Sequence, residues 1–199
     1  KIKNKIIGKG KPVFVIAETA SSHVGNPEKL KQLIKAAYES DADAVNVQKF
    51  YADELAVPQN PQHKDLKIIE LKDSDWKKVL DYAKKFKIIL MGNPFDEKSV
   101  DFLNKYIDAF KIHSTDLNNP EMLIKIAKKK KPIFLGVGGA KPHEIKKAIK
   151  ILESAGNKDI VLMHGFQAFP TKIEDSNLRL IDTIEKEFQR SVGFLDHID

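Results

Sequence analysis

The sequence predicts an α/β fold of parallel strands: a TIM-type (β/α) barrel, incomplete, with seven strands and six helices in this chain. Two observations carry that reading. Strand-like and helix-like stretches alternate seven times along the 199 residues, and repeated βα units make right-handed crossovers and a parallel sheet. Polar side chains also stand at the C-terminal tip of nearly every strand: Glu18, Gln48, Asn93, Lys111, His164 and His197. A doubly wound sheet gathers its ligand groups at one switch point, whereas a barrel collects them from every strand around one mouth. A complete barrel has eight units, so the sequence reads as one domain, residues 1–199, truncated before the eighth βα unit.

The first strand is the apolar run Val13–Ala17, continuous as for a strand covered on both faces, and it leads into Glu18 and then His23. Asn26-Pro27-Glu28 opens helix one with a cap, a proline at the first position and an acid in the first turn. Leu30, Leu33, Ile34 and Ala37 follow at helical spacing. Strand two is Ala44–Phe50. The stretch from Tyr51 to Asp73 reads as a long loop, and a loop of that length in a compact domain is usually functional or mobile. Helix two covers about Ser74–Phe86, strand three Ile88–Met91, and Asp96 caps helix three.

The fourth strand lies within Asp108–Asp116 and ends in Lys111, His113, Ser114, Thr115 and Asp116. Burying a lysine without a partner is costly, so these groups are expected to face a ligand at the mouth of the sheet; a structural ion pair is the alternative. Helix four starts at Asn119-Pro120-Glu121. Strand five is Pro132–Leu135, followed by Gly136-Val-Gly-Gly139, whose backbone N–H groups sit before helix five near Pro142. Strand six is Ile160–His164, helix six about Leu178–Phe188, and strand seven Val192–His197.

Composition narrows the function classes. At 42% hydrophobic and 31% charged, the chain suits a soluble globular domain. It has no apolar run long enough for a membrane span and no secretory h-region at its start. It has no cysteine, which excludes disulfides and thiolate metal sites and fits a reducing cytoplasm. The net charge is +6, but only Arg179 and Arg190 are arginines and the lysines are scattered. Nucleic-acid readers carry clustered bases rich in arginine, so no nucleic-acid partner is expected.

Several tip residues could do chemistry. Glu18 could act as a base, a metal ligand or an acceptor for sugar hydroxyls, or serve only as an ion-pair carboxylate. Lys111 with Ser114 and Thr115 makes a small anion site. His164 and His197 end neighbouring strands, where two imidazoles could share a divalent ion.

Six short motifs in order complete the picture: Ile16-Ala-Glu18 with Ser22-His23-Val-Gly25, Val45-Asn-Val-Gln48, Asn93-Pro-Phe95-Asp-Glu97, Lys111-Ile-His-Ser114, His164 with Phe169-Pro-Thr171, Glu174-Asp175 and Asn177-Leu178, and Gly193-Phe-Leu-Asp-His197. Together they resemble the sialic acid synthase family. That resemblance implies a barrel enzyme that joins phosphoenolpyruvate to an N-acylated amino sugar of the N-acetylmannosamine type, with a divalent metal, typically manganese. It implies Glu18 and Lys111 as catalytic groups. Gln48 and Ser114 would contact phosphoenolpyruvate, Asn60 would match a substrate-contacting asparagine, and Gln167 and Phe169 would shape the sugar site. His197 would be one of two metal histidines, the other lying outside this chain. A cytoplasmic homo-oligomer is expected.

The chain also departs from the family pattern. Asn46 stands in place of a phosphate-binding lysine, Asn93 of a threonine, Gly136 of a serine and Leu195 of a serine. Lys49 and backbone amides are the groups left to compensate. Two alternatives follow: a diverged member binding another small sugar or carboxylate without this activity, or a non-catalytic half-barrel needing a partner.

Overall fold

The computed structural model describes residues 1–166 and 168–198; Gln167 and Asp199 lie outside the described residues. Two compact units make up the chain: Val13–Ala109, and Phe110–Asp199 together with Lys1–Pro12.

The first unit carries β1 (Ile16–Glu18), α1 (Pro27–Glu39), β2 (Ala44–Lys49), α2 (Ala52–Leu55), α3 (Gln62–Ile69), α4 (Asp73–Ala83), β3 (Ile89–Pro94) and α5 (Glu97–Leu103). Side-chain caps start two of these helices. Asn26 Oδ1 accepts the N–H groups of Glu28 (2.9 Å) and Lys29 (3.2 Å), and Asp96 Oδ1 accepts that of Ser99 (2.7 Å). Such caps satisfy donors that the first turn leaves unpaired. Leu30 and Ile34 of α1 are fully buried, each contributing about 1.5–3 kcal/mol.

Two expectations are corrected here. The stretch Tyr51–Asp73 is not a structureless loop, because it folds into α2 and α3. The first strand is short, and Val13 and Val15 are 84% and 53% exposed rather than covered. The Val15 N–H is taken by the Asp43 carboxylate at 2.9 Å, while the Val15 carbonyl still accepts from the Asp43 and Ala44 N–H groups at 3.0 and 3.1 Å, so regular strand begins only at Ile16.

Register fixes the two faces of this part of the sheet. β1 pairs parallel with β2, placing Glu18 beside Asn46, and β2 pairs parallel with β3, placing Asn46 beside Met91 and Gln48 beside Asn93. Gly92 belongs to the alternate set. A Cβ there would lie 3.0–3.1 Å from Ile107 and Leu103, so its face packs on the helices. Since neighbours in register share a face, Glu18, Asn46, Gln48 and Asn93 all lie on the face away from the helices.

The second unit holds β4 (Ala109–Ile112), whose first residue closes the first unit, then α6 (Pro120–Ala127), β5 (Ile133–Gly136), α7 (Pro142–Ser154), β6 (Ile160–His164), α8 (Leu180–Phe188) and β7 (Val192–Phe194). Asn119 caps α6 by accepting the Met122 N–H at 3.1 Å. β4 pairs with β5, β5 with β6 and β6 with β7, all in parallel. Lys111, Phe134, Gly136, Met163 and Gly193 share one face, and Leu162, His164, Val192 and Phe194 share the other. Ile2, 3% exposed, and Ile7 line a cleft with Pro132, Phe134 and Ile160, near the starts of β5 and β6. That is the end away from the polar tips.

The expected class holds: seven parallel strands alternate with helices, and eight α-helices stand among the described residues rather than six, α2 and α3 being the additions. No helix among them is long and apolar enough to cross a membrane.

Candidate active-site residues

In the first unit the polar tips form a connected cluster around Glu18. One carboxylate oxygen, Oε1, accepts from the Ala20 N–H at 3.0 Å and from Gln48 Nε2 at 3.4 Å. The other, Oε2, accepts from Asn46 Nδ2 at 2.8 Å. Glu18 itself is exposed, while Asn46 and Asn93 are fully buried. An ionised carboxylate only accepts, so the Asn46 amide must present its NH2 to Glu18, and its orientation is fixed by chemistry. Its Oδ1 then has no hydrogen-bond partner, and neither has Asn93 Oδ1. The loop after β1 is tied to the same residue: the Thr19 hydroxyl and N–H both donate to the Asn46 carbonyl, at 2.9 and 3.1 Å.

His23 does not join this cluster. It is 2% exposed, meets Trp76 edge to face with centroids 6.5 Å apart, and accepts the Gly25 N–H on Nδ1 at 3.1 Å. Burial pushes its imidazole below the ordinary range. Lys49 cannot stand in for Asn46 either, which corrects that expectation. It sits on the helix face with Gly92, fully buried, its ammonium 2.8 Å from Asp73 and 4.0 Å and 4.6 Å from the Tyr51 and Phe102 ring centroids. Asn60 is exposed ahead of α3, where its Oδ1 accepts the Gln62 N–H at 2.9 Å. It shares no hydrogen bond with Glu18, Asn46 or Gln48.

In the second unit Lys111 is 9% exposed, next to the C-terminal end of β4 on the Phe134–Met163 face. The strand stops at Ile112 instead of running to Asp116, and Ser114–Asp116 form a 3₁₀ turn. His113 turns back on this segment, its Nδ1 accepting the Thr115 N–H at 3.3 Å. Ser114 is half-buried at the start of the turn. Gly136 is required beside it. A Cβ at Gly136 would lie 2.9 Å from Ser114 N and 3.1 Å from the Ile112 carbonyl, so a serine side chain would need the backbone to shift. Burial pushes the Asp116 carboxyl up, partly offset by the Asn119 amide.

The two histidines part company. His164 is 7% exposed on the face opposite Lys111, with Nε2 2.9 Å from the Ser176 carbonyl and its ring 6.1 Å from that of Phe194. That is a core position, and the expectation that it shares an ion with His197 gives way. His197 is half-buried, and its Nδ1 lies 2.8 Å from the Phe166 carbonyl. A carbonyl only accepts, so Nδ1 is the protonated nitrogen and Nε2 of the neutral ring keeps its lone pair, the arrangement usual in metal-binding histidines. Phe169, 77% exposed, lies against the His197 ring at 4.1 Å. Gln167 falls outside the described residues. Among those described, no group of three or more His, Cys, Asp or Glu could hold a metal ion.

Sequence reasoning took Asn46 only as a departure and missed its hold on Glu18. The signal was present: residues two apart on a strand share a face, which pairs Asn46 with Gln48 and excludes Lys49. Ser176 and Asp73, the partners of His164 and Lys49, left no such mark.

The chain is 37% identical over 198 residues to an uncharacterized protein of Methanocaldococcus jannaschii, covering 99% of this chain and 59% of that one. It is 31% identical over 204 residues to a pseudaminic acid synthase of Campylobacter jejuni, covering 94% and 59%. The chain thus spans little more than half the length of these relatives. Its structure matches the sialic acid synthetase of Leptospira borgpetersenii with a TM-score of 0.92 at 26% identity, over 100% of this chain and 70% of that one. The NeuB family model matches residues 33–199, and with that extent of agreement in sequence and fold the chain belongs to the NeuB family.

Proposed function

We propose that the protein carrying this chain condenses phosphoenolpyruvate with an N-acylated amino sugar, of the N-acetylmannosamine type, to give a nine-carbon 2-keto acid. Membership of a family whose relatives include pseudaminic and legionaminic acid synthases supports the kind of reaction. Lys111 is the observation that carries it here: a lysine only 9% exposed at a strand tip, followed by the half-buried Ser114, at the position where the family resemblance implies a phosphoenolpyruvate contact.

In this reading C3 of phosphoenolpyruvate forms the new bond to the sugar aldehyde carbon, whose oxygen takes a proton. Water adds at C2, and the C2–O bond to phosphate breaks as inorganic phosphate leaves. Lys111 and Ser114 hold the anionic substrate, and Gln48 contacts it. Glu18, exposed yet pinned on both oxygens, positions the water or takes its proton. Phe169 borders the sugar, with Gln167 beside it in sequence, and Asn60 supplies a further contact. A divalent ion, manganese by preference, would take Nε2 of His197 as one ligand and polarise the aldehyde as a Lewis acid. A cytoplasmic, homo-oligomeric enzyme fits this assignment.

The test is calorimetry with phosphoenolpyruvate, followed by mass detection of the keto acid. Lys111→Ala should weaken phosphoenolpyruvate binding at least a hundredfold, and unchanged affinity would remove Lys111 from the role. A second reading, a family member diverged to another small sugar or carboxylate, draws on Asn46 and Asn93. Their buried carbonyls add acceptors where a phosphate needs donors. Wild-type protein that ignores phosphoenolpyruvate but binds a sugar would favour it.

A further inference from the structure

The Asn46 side chain is placed against the usual rule for buried amides. It is 0% exposed, it makes one side-chain hydrogen bond, to Glu18, and its carbonyl oxygen has no partner. A buried orphan acceptor lowers stability, and an apolar side chain of the same shape would avoid the penalty. So the fold gains little from the amide, while the carboxylate gains a close donor on Oε2, the oxygen opposite the one that meets Ala20 and Gln48. The backbone around it shows the same bias. Ala20 adopts a left-handed φ of 43°, uncommon outside glycine, and in that conformation its N–H reaches Glu18 Oε1 at 3.0 Å. Thr19 is clamped to the Asn46 carbonyl by two hydrogen bonds. The carboxylate is therefore gripped from β2 by a side chain and from its own loop by a strained backbone amide, and both grips hang on residue 46.

We propose that Asn46 is a positioning residue that fixes the Glu18 carboxylate in one orientation, and that it is retained for this purpose at the expense of stability. The geometric claim stands apart from the proposed reaction; only its catalytic consequence rests on that reading.

The test uses Asn46→Leu, close in volume and without the amide, in the full-length protein. Amide hydrogen exchange followed by NMR reads the result. The Ala20 N–H, bonded to the Glu18 carboxylate, should exchange at least fivefold faster in the variant. The Thr19 N–H, bonded to the backbone of residue 46, should keep its rate, and the melting temperature should stay level or rise. Equal Ala20 exchange in the two proteins would overturn the proposal. So would faster exchange at both amides with a clear fall in melting temperature, which is the mark of a purely structural residue. Where the wild type turns over substrate, kcat should fall at least tenfold with KM nearly constant. A wild type without turnover would refute the reaction but leave the exchange result to decide the positioning role.

Discussion

Gly25 is fixed by two separate demands. Its φ is +70°, in the left-handed region, and a Cβ there would lie 2.2 Å from the Ile68 carbonyl oxygen of α3. The turn also brings the Gly25 N–H onto His23 Nδ1, holding the imidazole against Trp76. Gly25→Ala must therefore adopt an unfavourable backbone and push α3 aside together. Those penalties sum to about 2–4 kcal/mol. Urea unfolding should show the midpoint falling with little change in slope. A loss under about 0.5 kcal/mol would mean that α3 does not pack there. The sequence Ser22-His23-Val-Gly25-Asn26 marked a turn before a helix, and that much was legible. The second demand was not, because it comes from Ile68, more than forty positions away, in a stretch that reads as loop.

At the scale of one element, β2 shows what alternation can and cannot reveal. Its burial is nearly complete, so hydrophobicity does not tell its faces apart. Parity does: Asn46 and Gln48 turn toward Glu18, and Lys49 turns to the helices. What parity cannot supply is the partner of Lys49. Asp73, the first residue of α4, provides it, with the Tyr51 hydroxyl donating to the same carboxylate at 2.8 Å. Burial raises the Asp73 carboxyl, but the hydrogen bonds from Lys49 and Tyr51 and the lysine charge outweigh it, leaving it below its ordinary value of 3.8. A depressed carboxylate contributes stability above its unfolded pKa and loses it as pH falls through the folded one. Wild type should thus exceed Asp73→Asn by roughly 1 kcal/mol at pH 7, a modest figure because the Asp73 side chain is 50% exposed and screened. The gap should hold to about pH 5 and close below the carboxylate range. Denaturation curves from pH 7 to pH 2 measure it, and a gap independent of pH would refute the charge-based account.

For the molecule as a whole, the class of fold was legible because six βα units, a seventh strand and the helix caps are local signals, and local signals survive in a sequence. The division of labour among polar tips was not legible, because it depends on which face each tip takes and which distant carbonyl meets it. His164 and His197 make the point. Both end or follow strands and look equivalent in sequence, yet one is bonded to Ser176 in the core and the other to Phe166 with a ring nitrogen left for a ligand. Their substitutions should therefore separate. His164→Ala should remove a buried ring and leave the Ser176 carbonyl unsatisfied, a loss of about 2–4 kcal/mol. His197→Ala should lose less than about 1 kcal/mol, since its ring is only half-buried and its neighbour Phe169 is open to water. Under the proposed reaction, manganese stimulation of keto-acid formation in the full-length protein should vanish for His197→Ala and persist for His164→Ala at temperatures where that variant is folded. Thermal unfolding checks the first contrast and a manganese titration of initial rates the second. Equal stability losses would undo the split between core and strand tip, and manganese stimulation that survives His197→Ala would remove that residue from the proposed metal-binding role.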